Sequence, residues 1–290
     1  MNLPDLGQSN PHPKQLLLDA LAMRWENYCA ELQNCRREFS EESVHDLRVA
    51  TRRMLAYIRL LNSISPQLRL KKMAHAFKDQ LDEFDTLRDT QVILSELSGI
   101  LPELPQLEEF ETHLHSVESQ MMQELHIKLN KRKTSEMENW IQKTQEDVSA
   151  WGDDHLDALV LDVVDDAFLT VKQRLGWIDR TRSSTIHRVR VAFKAFRYMV
   201  EIVHPLLDRF PPEILKQMNG YQTLMGDIQD AEVFAHTLAD FMKDASSPDL
   251  DSVRGYYEKR RAEAISTFVA AMGEIHTFWR PAPDQPFPWE

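Results

Sequence analysis

Val44–Leu61 reads VHDLRVATRRMLAYIRLL, and Ile186–Val203 reads IHRVRVAFKAFRYMVEIV. In register, His45 matches His187, Arg48 matches Arg190, Val49 matches Val191 and Ala50 matches Ala192, while Arg52 falls opposite Lys194. Identity is sparse but falls on the uncommon residues, and a return after 142 residues marks an internal repeat. At about 100° per residue, Leu47, Ala50, Met54, Ile58 and Leu61 line one face of a helix, and His45, Arg48, Arg52 and Arg59 line another. The second copy has Val189, Ala192, Phe196, Val200 and Val203 on its apolar face and His187, Arg190, Lys194 and Arg197 on its cationic one.

A histidine followed by cations one and two turns later is a row of hydrogen-bond donors, suited to an anion with many oxygens. On a single helix the plainer reading is a solvated basic face. Its recurrence in the second copy favours a binding surface. Ser43 and Thr185 stand directly before the helical pattern and are the expected N-caps, Ser43 with Asp46 having the form of a capping box. That places His45 and His187 in a first turn, where free backbone N–H groups favour phosphate. A first-turn histidine also serves simply to satisfy local backbone groups.

With 290 residues, 42% of them hydrophobic, the chain suffices for two ordinary domains or one of double length, and the repeat favours two similar halves. No apolar run approaches the roughly 18 residues of a membrane span, and MNLPDLGQSNPHP lacks the basic start and apolar centre of a signal peptide, so a cytoplasmic protein is expected. Cys29 and Cys35 point to different faces of one helical pattern, which indicates neither a disulfide framework nor a metal knuckle. The net charge of −12 argues against a general nucleic-acid binder. Each copy carries four Lys or Arg against one acid, a charge of +3, so the rest of the chain holds −18. Cations concentrated on two elements of an acidic protein suggest a local anion site.

In chain order, residues 1–13 read as a loose arm, and a helix follows from about Lys14 to Phe39. After the His45 helix, Pro66 opens one that continues through Phe84 to Leu97, and Gly99 to Pro105 breaks the chain. Gln106 to about Ala150 is a long helical pattern with a bend near Lys133 to Ser135, and its Lys131, Arg132, Lys133 cluster reads as an exposed charge run. Gly152 marks the boundary between halves, residues 14–151 and 152–279. Beyond it come helical patterns at Leu156–Leu175, Ile186–Pro205, Pro211–Met242 and Asp249–Trp279. A second anchor supports the duplication: LRDTQVILSEL at Leu87–Leu97 aligns with IQDAEVFAHTL at Ile228–Leu238, matching Asp89 with Asp230. No strand alternation or phosphate-binding Gly loop is present, so the fold is read as all-α with about four helices per half.

These four segments in this order resemble the CHAD family, the conserved histidine α-helical domain, over nearly the whole chain from Lys14 to Trp279. The resemblance implies two four-helix bundles related by a pseudo-two-fold, around a basic central cavity that binds inorganic polyphosphate. It implies that His45, Arg48, Arg52, Arg59, His187, Arg190, Lys194 and Arg197 line that cavity, with Arg53, Lys78, Arg88 and Lys216 as additions. The chain departs from an even repeat where Ala195 answers Arg53, Glu201 answers Arg59 and Gln229 answers Arg88, so the second half reads as the poorer cationic wall. CHAD domains are often joined to a CYTH domain marked by Glu-x-Glu-x-Lys. The nearest string, Glu109, Glu111 and His113, lacks the Lys, so the chain reads as a standalone binder without catalytic activity, cofactor or metal, and a place beside polyphosphate granules is implied.

Two other classes compete. Glu42 with His45, and Glu201 with His204, have the Glu-x-x-His spacing of di-iron bundles, but they lie at opposite ends of matching helices among arginines. A scaffold for an acidic protein or a nucleic acid is the third reading; the stripes carry only Tyr57 and Tyr198 as aromatic neighbours for stacking. The end, Arg280 to Glu290, reads as a loose tail or as a segment docked through Phe287 and Trp289.

Overall fold

The structure, a computed structural model, describes residues 12–244 and 250–290. The reading of residues 1–13 as a loose arm lies outside the described residues up to position 11. Among the described residues all regular structure is helical, which makes the protein all-α. The helices are α1 (Pro13–Glu38), α2 (Glu41–Ile64), α3 (Leu68–Glu83), α4 (Asp85–Ile100), α5 (Glu108–Lys131), α6 (Ser135–Ser149), α7 (Leu156–Leu175), α8 (Ser183–Val203), α9 (Glu213–Asp244) and α10 (Leu250–Ala271). A 3₁₀ segment at Met272–Thr277 leads into the C-terminal tail.

The apolar stripes of the two repeats are buried throughout. Met54, Ile58 and Leu61 of α2 and Val189, Phe196 and Val200 of α8 have no solvent exposure. They belong to one core shared by both halves, which runs from Leu17 of α1 to Trp279. A smaller core joins the far ends of α4 and α5 to those of α9 and α10, through Leu97, Phe110, Phe234 and Tyr257. Each core takes helices from both halves, so neither half encloses its apolar surface alone.

The helix starts correct the expected caps. The N-cap of α2 is Ser40, whose Oγ accepts from Ser43 N–H at 3.2 Å while Ser43 Oγ accepts from Ser40 N–H at 2.9 Å. Glu41 and Glu42 are favoured in a first turn by the helix dipole, so α2 begins three residues earlier than Ser43 suggested. In α8, Thr185 is likewise the third helical residue; its Oγ1 donates to Arg182 O at 2.7 Å and accepts from Asp179 N–H at 3.1 Å. His45 and His187 therefore stand in second turns, past the free N–H groups.

The helix expected from Pro66 to Leu97 is broken at Phe84 into α3 and α4. Arg48 supplies the cause. Its Nη1 donates to Leu81 O at 2.8 Å, the carbonyl that would accept from residue 85 in an unbroken helix, and Phe84 N–H bonds to the same oxygen at 3.1 Å. The matching helix of the second half, α9, runs unbroken. The bend expected near Lys133 is present between α5 and α6.

Residues 280–290 are not a loose tail. Phe287 stacks on Trp289 at 4.8 Å, and Trp289 lies edge-on to Phe210 at 5.1 Å. Asp165 of α7 fixes the start of the segment by accepting from Trp279 Nε1 at 2.7 Å and from two nitrogens of Arg280. Both members of the Asp165–Arg280 pair are largely shielded from water. Asp165→Ala is expected to destabilise the protein by about 3 kcal/mol, because it leaves a buried guanidinium and an indole N–H unpaired. Urea unfolding checks this, and a loss below about 1 kcal/mol would mean the tail is held by its aromatic contacts alone.

Candidate functional site

Packing α2 against α8, with α4 and α9 on their flanks, encloses a cavity of about 510 Å³. From the first half it is lined by His45, Arg48, Arg52, Arg53 and Arg88, and from the second by His187, Arg190, Lys194 and Arg197. The two cationic stripes therefore face a shared space. Arg59, Lys78 and Lys216 do not line it. Arg59 is seven residues beyond Arg52, which at 1.5 Å per residue is ~10 Å farther along α2. Lys78 is exposed and pairs with Asp82 on its own helix, and Lys216 is exposed near the start of α9. Lys131, Arg132 and Lys133 lie away from the cavity, with Arg132 engaged by Glu83.

What the stripes could not reveal is which cations are already paired. Arg48, with a side chain only 5% exposed, is held by Asp85 at 2.7 Å as well as by Leu81 O. Arg197 donates to Glu201 and to Gln222, and its Cζ lies 4.4 Å from the Tyr198 ring centroid. Arg53 also reaches Glu201, at 3.4 Å, and Arg88 bonds to Glu41 at 2.8 Å. Arg52, Arg190 and Lys194 have no ion pair or side-chain hydrogen bond among the described residues, and Arg190 Nε is buried without a partner.

The difference between Arg48 and Arg190 has a cause in the repeat. Extending the register of the second anchor back by two residues puts Gly226 opposite Asp85. A Cβ at Gly226 would lie 3.8 Å from Arg190 Nη2 and 3.9 Å from its Nε, so the guanidinium rests against bare α9 backbone where Arg48 meets a carboxylate. The second half has fewer cations but contributes Arg190 and Lys194 to the unpaired set, which offsets its apparent weakness as a wall.

Crowding of unpaired charge sets the protonation of the site. Burial, reinforced by Arg52, Arg190, Arg48 and Arg197, pushes the Lys194 ammonium down to about 6. Burial and Arg48 lower Arg52 to about 10. His45 is lowered by burial and then by Arg88. His187 is oriented by Gln229, whose Oε1 accepts from Nδ1 at 2.6 Å, leaving Nε2 as the nitrogen free for a ligand. Asp89, exposed at the lining, and Asp230, half-buried in it, are both raised, chiefly by desolvation.

Asp85, Asp89 and Asp230, with Tyr198, Asn219, Gln222 and Gln229, are lining residues that a search for cations overlooks. Asp89 and Asp230 carried a signal as matched positions of the second anchor. For Asn219 and Gln222 the sequence carries none. Asp89 and Asp230 place negative charge where an anion would enter, so Asp89→Asn and Asp230→Asn are each expected to tighten anion binding about fivefold, or ~1 kcal/mol. Calorimetry on the two variants checks this; weaker binding would mean that these carboxylates hold the arginines in place.

Neither Glu-x-x-His pair forms a ligand set. Glu201 is taken by Arg197 and Arg53, and His204 lies with it outside the main cavity, whereas His45 lies inside. Among the described residues no three His, Cys, Asp or Glu side chains converge on one point. Arg52, Arg190 and Lys194 instead present donors without acceptors, an arrangement that holds a multiply charged oxyanion.

A family model described as CHAD domain matches residues 19–239, a span that contains every lining residue of the cavity. The fold is similar to that in the crystal structure of the CHAD domain from the plant Ricinus communis, with a TM-score of 0.74 over 95% of this chain and 97% of that one. Sequence identity with it is 17%, so the likeness is one of fold. No curated protein matches the chain in sequence.

Proposed function

Because the chain belongs to the CHAD family, matched over residues 19–239, we propose that its cavity binds inorganic polyphosphate and does no chemistry on it. The observation that carries this reading is the convergence of Arg52, Arg190 and Lys194 in one enclosed space, none of them held in a hydrogen bond or ion pair among the described residues, so that they outweigh the nearby Asp89 and Asp230. Crowding like charges out of water is unfavourable, and a ligand bearing several negative oxygens removes the penalty. The donors are spread along two helices, which suits many phosphates of a chain better than attack on a single anhydride bond. No helix among the described residues is long and apolar enough to cross a membrane. On this reading the protein works in the cytoplasm, where polyphosphate stores are its site of accumulation.

A nucleic acid offers the same backbone charge, but each phosphate carries a base that needs a stacking surface. Tyr198 lines the cavity, yet its ring is already covered by Arg197. Long-chain polyphosphate and single-stranded RNA of matched charge, titrated against the protein at several salt concentrations, test the proposal. Polyphosphate is expected to bind at least about tenfold more tightly, with an affinity that falls steeply with salt as counterions are released. RNA binding equal to or tighter than polyphosphate would overturn it.

A further inference from the structure

A second recess of about 360 Å³ opens between α1, α2 and α8. Its walls include Met23, Arg24 and Asn27 of α1, Arg53 of α2, and Glu201 and His204 at the end of α8. Arg53 lines both this recess and the main cavity, and Glu201, at the junction, holds Arg53 and Arg197 together.

Arg24 is out of place for a purely structural residue. It sits on the apolar stripe of α1, in line with Leu17, Leu21, Tyr28 and Leu32, at a position where leucine is expected. Only 7% of it is exposed, and it lines the recess. Its Nη1 donates to Ala20 O at 3.3 Å, a bond within its own helix, while its Nε has no partner among the described residues. A buried guanidinium with an unfilled donor is costly, and replacing it with an apolar side chain would ordinarily be neutral or favourable. His204, the other base of the recess, is held by stacking on Phe210 at 5.4 Å.

We propose that this recess is a second anion subsite, joined to the main cavity through Arg53, which takes the phosphates of a chain too long for the main cavity alone. The inference rests on the polyphosphate reading above. Phosphate oxygens at the junction replace the Glu201 carboxylate on Arg53 and accept from the guanidinium of Arg24, which lines the recess. Against the single carboxylate of Glu201, the recess then presents the guanidiniums of Arg24 and Arg53, with His204, which burial holds below the ordinary histidine range, as a further donor. A short chain needs neither Arg24 nor His204, because Arg52, Arg190 and Lys194 lie in the main cavity. The subsite therefore makes binding depend on chain length.

The test compares tripolyphosphate with long-chain polyphosphate on the wild type, Arg24→Met and Asn27→Asp. Asn27 is exposed, so its nearly isosteric change keeps the test valid if removal of the buried Arg24 upsets folding. Arg24→Met is expected to weaken long-chain binding about tenfold and Asn27→Asp about threefold, with tripolyphosphate affinity unchanged. Equal losses for both ligands, or no loss for either, would overturn the subsite. A wild type that binds neither ligand would instead remove the main cavity reading, and the subsite with it.

Discussion

Replacing Arg190 and Lys194 together with Met is expected to lower affinity for long-chain polyphosphate by at least about a hundredfold while raising the melting temperature. Each residue supplies a charge-assisted contact worth roughly 1.5–3 kcal/mol, and two such losses exceed two decades in Kd. Neither holds a hydrogen-bond or ion-pair partner among the described residues, unlike Arg48, whose removal would free Asp85 and the Leu81 carbonyl. The gain in stability follows from the sign of the Lys194 shift. Its folded value of about 6 lies below the unfolded one, so the unfolded chain binds the proton more readily between those values. The penalty is complete below about pH 6 and fades as pH rises toward the ordinary lysine range. At neutral pH its relief is expected to be on the order of 1–2 kcal/mol, or a few degrees in melting temperature. The control, Lys131 and Lys133 to Met, removes the same formal charge from an exposed run. Equal loss of binding in the two double variants would show that bulk charge alone matters.

Binding of polyphosphate is expected to take up a proton, and Lys194 is the group that takes it. In the free protein, burial and the neighbouring arginines push Lys194 down to about 6, so it is mostly neutral at pH 7.5. Phosphate oxygens beside it favour the ammonium and raise that value, so affinity rises as pH falls from about 8 toward 6, by up to about tenfold per unit. Below about 6 the free protein is already protonated at Lys194, and its contribution levels off. His45, held below the ordinary histidine range by burial and Arg88, adds its own charge only at the acid end. Lys194→Arg keeps the cation but loses the titration, because arginine stays charged, and is expected to flatten the profile between pH 6 and 8. Calorimetry in buffers of different ionisation heats counts the protons directly. An unchanged slope in Lys194→Arg, with a flat one in His45→Ala with His187→Ala, would assign the effect to the histidines.

Much of this architecture was legible before any coordinates. Helix faces repeat every few residues, so the buried stripes of α2 and α8, the break near Lys133 and the match between Asp89 and Asp230 depend on local periodicity that the chain displays directly. Seven of the eight stripe residues reach the cavity for the same reason, and Arg59 misses it because a stripe outlasts the stretch of helix that the partner covers. Caps were less legible. Ser40 and Ser43 are both competent, and the choice depended on whether two glutamates joined the first turn.

Pairing of charge is where tertiary structure took over. Arg48 and Arg190 occupy matching positions, and nothing near either in the chain distinguishes them; the distinction lies on other helices, where Asp85 meets one and Gly226 the other. The same Arg48 splits α3 from α4 by taking the Leu81 carbonyl, an effect exerted from 33 residues away. Glu201 looked like a lost cation in the repeat, yet in space it holds Arg53 and Arg197. By itself the sequence determined which residues share a helical face, because that follows from a fixed rise and turn per residue. Only the tertiary structure decided which charges on those faces are neutralised, because Coulomb energy and desolvation depend on separation and burial across helices.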